Sequence, residues 1–209
     1  MAQDHVPSGK RIVQNWWGKS WVVNLERYAD YSNRLPRGRA YLRGGAVQRL
    51  AIDRGEVTAS VKGSRPRPYK VAVKITPLSE SRIESISSRC SNEISDLDSL
   101  LSGDIPQDAA DMFVSREGLF PSPSEIRFSC SCPDSAYMCK HVAAVLYAIG
   151  VEFDHDPLLF FKLRGINVEE MVRKSVEERL EVMLSNAGCR TSRTLNDSVF
   201  GAFGVLDRK

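Results

Sequence analysis

Cys130, Cys132, Cys139 and His141 fall within one twelve-residue stretch, CSCPDSAYMCKH, which groups three thiols and an imidazole. These are the ligands that zinc prefers, and four of them complete its tetrahedral shell. A complete shell leaves no open position for a substrate water, so the chemistry implied is one structural zinc ion rather than a catalytic metal. Three thiolates around a divalent cation leave the site at −1, a charge that the positive end of a helix starting near Lys140 would offset. Zinc binding of this kind is worth about 10–16 kcal/mol in small finger peptides. That is comparable with the stability of a whole domain, so residues 126–150 are expected to depend on the metal.

The surrounding elements must make four side chains converge. A strand from Ile126 to Cys132 would do so for the first pair, because residues two apart point to the same face. On a helix such residues diverge, so Cys139 is expected just before a helix and His141 in its first turn. The stretch Pro133 to Met138 serves as the reversing loop. The apolar run from Lys140 to Ile149 reads as a buried helix closed by Gly150.

At these residues the sequence resembles the SWIM zinc finger, whose pattern is Cys-x-Cys, a variable gap and Cys-x-His on a strand-strand-helix unit. The similarity continues through KHVAAVLYAIGVEFDHDPLLFFKLRGI, and WWGKSWVVNLE and the strands up to KVAVKITPL are also similar to prokaryotic SWIM proteins. It covers most of the chain and is weakest over residues 80–120 and in the tail. Related proteins commonly carry a Trp after the Pro-Asp and a Pro before the third ligand, where this chain has Ser135 and Met138. The resemblance implies a module that binds DNA or other proteins, without deciding between them. It also implies a partner, since these proteins are often encoded beside Snf-type helicase-like ATPases.

Elsewhere the periodicities predict an α+β protein. Ser20 reads as the N-cap of a short helix to about Ala29, with Trp21, Leu25 and Tyr28 on its apolar face. NRLPRGRAYLRGG reads as a polar, Gly-rich connection. Three alternating segments, Val47 to Ile52, Val57 to Val61 and Tyr69 to Ile75, form an antiparallel β-meander joined by Asp53-Arg54-Gly55 and by GSRPRP. A helix from Ser79 places Ile83, Ile86, Cys90, Ile94, Leu97 and Leu101 on one side, and a second fits Gln107 to Glu117. Helices are expected from the Asp156 cap with Pro157 to about Arg164, and from the Asn167/Glu170 capping box to about Ser185. The divisions expected are residues 1–120 (meander and helical middle), 121–165 (SWIM finger followed by a helix) and 166–209 (last helix and a tail that Phe200 and Phe203 could dock).

The net charge of +3 conceals an asymmetry: residues 1–74 sum to +10, residues 75–129 to −6 and residues 130–209 to −1. Either the first third carries a polyanion-binding face or the two segments neutralise each other. Candidate phosphate contacts are Arg34, Arg37, Arg39, Arg43, Arg65, Arg67 and Lys70, with Tyr41 and Tyr69 interleaved for stacking, and Lys140 held between two ligands. An ordinary solvated surface accounts for the same residues. The competing reading is a protein adaptor, anchored by the Trp16, Trp17 and Trp21 cluster or by the acidic Glu93, Asp96 and Asp98, although a Trp cluster is more often core. No nucleophile motif, phosphate-cradling loop or HExxH helix occurs; His155 reads as a capping-region residue, so no enzymatic activity and no small-molecule substrate are expected. The N-terminal MAQDHVPSGKRIVQNWW lacks an apolar signal core, and the longest apolar run, Val142 to Val151, is too short to span a bilayer. The expectation is therefore a cytoplasmic protein with no membrane partner, in which Cys90 and Cys189 are lone thiols.

Overall fold

Alternation of apolar and polar residues builds a four-stranded antiparallel sheet with one face turned inward. In a computed structural model, which describes residues 12–27, 34–90, 102, 107–115 and 118–187, the strands are β1 (Val47–Asp53), β2 (Glu56–Val61), β3 (Tyr69–Ile75) and β4 (Ile126–Cys130). Their order is β1-β2-β3-β4. The meander is as the alternation predicts, and Gly55 supplies the positive φ of 73° at the first turn. The fourth strand is the first part of the finger: β4 pairs with β3 in the register Val71↔Cys130, Val73↔Phe128 and Ile75↔Ile126. Leu50, Val57, Val61, Val71, Val73 and Ile126 face the core.

Across that inner face lies α5 (Lys140–His155), every residue of which from His141 to Phe153 is buried. It does not stop at Gly150 as the sequence predicts. Gly150 is needed inside the helix, where a Cβ would lie 3.1 Å from Trp21 Cδ1. A helix apolar all round requires cover on all sides, and α1 (Trp16–Arg27) and α2 (Leu35–Arg43) provide it beside the sheet.

Both covering helices depart from the sequence reading. The first begins at Trp16, so Ser20 is interior and not a cap. The cap comes from the far end of α5 instead: the Asp154 carboxylate accepts a hydrogen bond from Gly18 N–H in the first turn, and from Gln14 N–H and, at 3.1 Å, Asn15 N–H just before it. A local rule cannot find a cap supplied from another helix. The second lies where the Pro and Gly content of NRLPRGRAYLRGG predicts a connection. Pro36 sits in the first turn, where no N–H is needed, and Leu35, Gly38 and Leu42 form its buried face. A Cβ on Gly38 would lie 2.5 Å from Ala143 Cβ and 2.7 Å from its carbonyl carbon, so glycine is what lets α2 approach α5 this closely. Trp17 and Trp21 are fully buried, the Trp21 indole donating to Leu146 O at 2.8 Å. Trp17 and Trp21 are therefore core, and Trp16 packs against it partly buried.

The remaining helices are α3 (Glu80–Cys90), α4 (Gln107–Val114), α6 (Leu158–Arg164) and α7 (Val168–Ala187), with a 3-10 turn at Pro123–Glu125. Asp156 and Asn167 cap α6 and α7 as expected, through bonds to Leu158 N–H (3.0 Å) and Glu170 N–H (3.3 Å). The chain divides into two compact units after Val172. Tyr28, Glu93, Ile94, Asp96, Leu97, Asp98, Leu101, Cys189, Phe200 and Phe203, and the side chain of Cys90, lie outside the described residues.

A buried arginine ties the end of α6 to the entry of β4. Arg164 is fully buried, and its guanidinium meets Glu125 Oε1 at 3.0 Å and the Thr76 carbonyl. Burial alone would raise the Glu125 pKa, but hydrogen bonds from Ser122 N–H and Arg164 outweigh it and hold the group below its ordinary value of 4.5. A depressed carboxylate stabilises the fold fully above its unfolded pKa, and this contribution is lost as pH falls through the lower, folded value. Glu125→Gln is therefore expected to destabilise the protein at pH 7, with the gap to wild type shrinking through the carboxylate range. Urea denaturation at several pH values reads this, and a pH-independent gap contradicts it.

Candidate metal centre

The four candidate ligands come from three structural contexts. Cys130 ends β4 and faces inward opposite Val71. Cys132 lies beyond the strand, which is two residues shorter than predicted, so strand alternation is not what aligns the first pair. Ser131 continues the pairing instead, its N–H donating to Lys70 O (3.0 Å) and its Oγ accepting from Lys70 N–H (2.9 Å), and the chain bends at Cys132 and Pro133. Cys139 is the N-cap of α5, its Sγ accepting from Val142 N–H at 3.5 Å, and His141 is in the first turn. Capping by a thiolate places negative charge at the positive helix end.

The ligand atoms of all four lie within 4.8 Å of one another. His141 turns Nδ1 toward the sulfurs, 3.8 Å from Cys139 Sγ and 4.0 Å from Cys130 Sγ. A tetrahedral zinc with bonds of about 2.0–2.3 Å separates its ligands by roughly 3.6–3.8 Å, so small side-chain rotations close the shell. The thiols also conflict without a cation. A hydrogen bond from Cys130, together with the Val142 and His141 amides, pushes Cys139 down to about 4 despite its burial, whereas donation to Cys139 and burial push Cys130 well above its ordinary value. Crowded thiols cannot all ionise unless a positive ion shares the site. One structural zinc fits this cluster.

Aromatic rings fix the imidazole. Tyr69 lies 4.6 Å from the His141 ring and Tyr41 5.4 Å from it. Tyr69 is 4% exposed, so it does not offer a free stacking surface for a base. Lys140 sits over the Tyr41 ring at 4.8 Å, a cation–π contact that turns it toward the protein. His141 Nε2 is buried with no hydrogen-bond partner among the described residues and points at Gly63, where a Cβ would lie 3.2 Å away and 2.3 Å from Tyr69 Cε2. Gly63→Ala must then displace the ring that holds the ligand. Zinc affinity should fall by about tenfold or more, the scale on which groups supporting a metal ligand act. Competition with a chromophoric chelator measures it, and an unchanged affinity contradicts it.

The loop between the ligand pairs is packed. Arg34 meets Asp134 at 2.8 Å, Asp134 Oδ1 accepts from Ala136 N–H, Tyr137 O–H donates to Ile126 O, and Met138 is buried. Arg34 thus ties α2 to the finger. The other candidate cations occupy three places. Arg37, Arg39 and Arg43 are on α2, with Arg39 3.6 Å from Glu26 and over the Tyr147 ring; Arg65 and Arg67 are exposed in the β2–β3 loop; and Lys70 is exposed on β3. Arg49 and Lys62, on the same outward sheet face as Lys70, were missed. The signal was strand alternation, obscured by a register shift between Val47 and Arg49.

Residues 129–150 match the SWIM zinc finger. Over 172 residues the chain is 37% identical to the uncharacterized protein Rv2102 of Mycobacterium tuberculosis, an alignment covering 81% of this chain and 62% of that protein. The chain thus spans less than two thirds of that relative. The search of solved structures found no significant match. Among the described residues no helix is long and apolar enough to cross a membrane.

Proposed function

We propose that the protein is a non-catalytic, zinc-organised accessory subunit that binds nucleic acid, DNA in particular, in support of a Snf-type helicase-like ATPase in the cytoplasm. The observation that carries this reading is the set of exposed cations around a rigid zinc-held frame: Arg37, Arg43, Arg65, Arg67 and Lys70 all reach solvent. Cations on a fixed scaffold meet phosphates without first being ordered, which lowers the entropy cost of binding. The zinc supports the frame and takes no part in contact or chemistry, because its shell is filled by protein. The test is the affinity of the purified protein for short DNA across a salt series. Binding that weakens linearly with the logarithm of salt supports the reading, and no binding at low salt ends it.

A second reading, a protein adaptor, is favoured by one observation. On α7, Val176, Leu180, Val182, Met183 and Leu184 are 50–72% exposed, an apolar display that a partner helix would cover. Recovery of an ATPase from native extract after nuclease treatment, by a protein that binds no DNA alone, would favour it.

A further inference from the structure

The side of the sheet opposite the zinc is uncovered among the described residues. Cross-strand register sets its side chains in rows: Arg49 beside Ser60 beside Lys70, then Ala51 beside Thr58 beside Ala72 beside Ser129. Ser131 extends the first row through its paired bonds to Lys70, and Lys62 continues β2 outward beyond Ser60. The short side chains of the second row leave an open groove of about 540 Å³ across all four strands. Arg49, Lys62 and Lys70 are exposed along one end of it.

Charge on this face is one-sided. The acids it carries, Glu56 and Asp53, lie at the other end and are each matched, Glu56 by Lys74 at 4.0 Å and Asp53 by Lys162 at 2.7 Å. Lys74 and Arg127 stand with those acids, whereas the opposite end carries cations and no acid among the described residues, bordered by the hydroxyls of Ser60 and Ser131. Guanidinium and ammonium groups meet phosphate oxygens, and hydroxyls and exposed amides complete such contacts without reading sequence. The groove spans four strands, roughly 14 Å at about 4.8 Å between neighbours, a floor that a few nucleotides of a single strand can cross, whereas a duplex, with phosphates on its outside and a far larger diameter, can only touch its rim. Among the described residues no aromatic side chain lines it, so the contact expected is to the phosphodiester backbone and not to stacked bases.

We propose that this open sheet face, with Arg49, Lys62 and Lys70 as its phosphate contacts, is a sequence-independent binding site for single-stranded nucleic acid. It rests on the nucleic-acid reading above and makes the sheet face the principal contact, with the loop cations at its border. The candidate metal site lies behind it: Cys130 faces inward on the strand segment whose Ser129 and Ser131 line the groove, so loss of the metal is expected to disturb the groove as well.

The test compares wild type, Arg49→Gln/Lys70→Gln and the loop pair Arg65→Gln/Arg67→Gln by fluorescence anisotropy on a labelled oligothymidine of about twelve nucleotides, within the usual range of single-strand sites. Loss of two phosphate contacts should weaken binding by about tenfold at physiological salt and flatten the salt slope by about 1.4. Zinc content confirms that each variant is folded. The expected result is a clearly larger loss in the sheet pair than in the loop pair, and weaker binding of a duplex of the same length. If wild type binds but the loop pair loses as much affinity as the sheet pair or more, or if the duplex is preferred, the site is wrong while the nucleic-acid reading stands. If wild type binds neither strand nor duplex, both fall, and capture of an acidic peptide by the sheet face would assign it to a protein.

Discussion

Replacing Cys139 with serine is expected to abolish stoichiometric zinc binding and to unfold the sheet–α5 core. Serine is a good helix N-cap, so the oxygen can still accept the Val142 N–H bond and the loss isolates the metal from the cap. A structural zinc contributes about 10–16 kcal/mol in finger peptides, while whole domains are stable by only about 5–15 kcal/mol. The metal's contribution can therefore equal the entire margin. Its effect is not confined to the finger, because Cys139 and His141 start a helix buried from His141 to Phe153 against α1, α2 and the sheet. Metal content and circular dichroism on Cys139→Ser read the result. Full zinc occupancy with an unchanged thermal midpoint would contradict it.

The second large effect is expected at Trp17→Ala. Trp17 is fully buried and lies 5.1–5.3 Å from the Phe160 and Phe161 rings, 4.9 Å from Trp16 and 5.9 Å from Phe113. Truncating a tryptophan in such a core costs about 3–5 kcal/mol, because the cavity only partly collapses. Zinc affinity in the folded protein should be unaffected, since the rings that Trp17 packs on, Trp16, Phe113, Phe160 and Phe161, are not metal ligands. Urea denaturation separates this from the alternative role: a tryptophan that anchors a partner would lose binding on truncation with no loss of monomer stability.

The metal site was legible because its ligands are contiguous in sequence and their residue types admit few other chemistries. The meander was legible because inward Val57, Ala59 and Val61 alternate with polar neighbours. What escaped depended on distant parts of the chain. The α1 cap is Asp154, more than a hundred residues away in sequence, and Gly38 looks like a loop residue until Ala143 is seen against it. Alternation alone extends the strand to Cys132, whereas the regular strand ends at Cys130, Ser131 makes a last pairing with Lys70, and a bend brings the second thiol round. Tyr41 and Tyr69 looked like stacking aromatics, yet both pack on the His141 ring. The cationic sheet face was hidden for a related reason: Arg49, Lys62 and Lys70 belong to different segments, and only cross-strand register unites them.

X-ray absorption at the zinc edge of the purified protein tests the central claim most directly, because it reads the ligand shell itself. The expected result is one zinc per chain with three sulfurs at about 2.3 Å, one nitrogen at about 2.0–2.1 Å and no oxygen. A shell containing a water oxygen, fewer than three sulfurs, or substoichiometric zinc in protein that is nonetheless folded would contradict it.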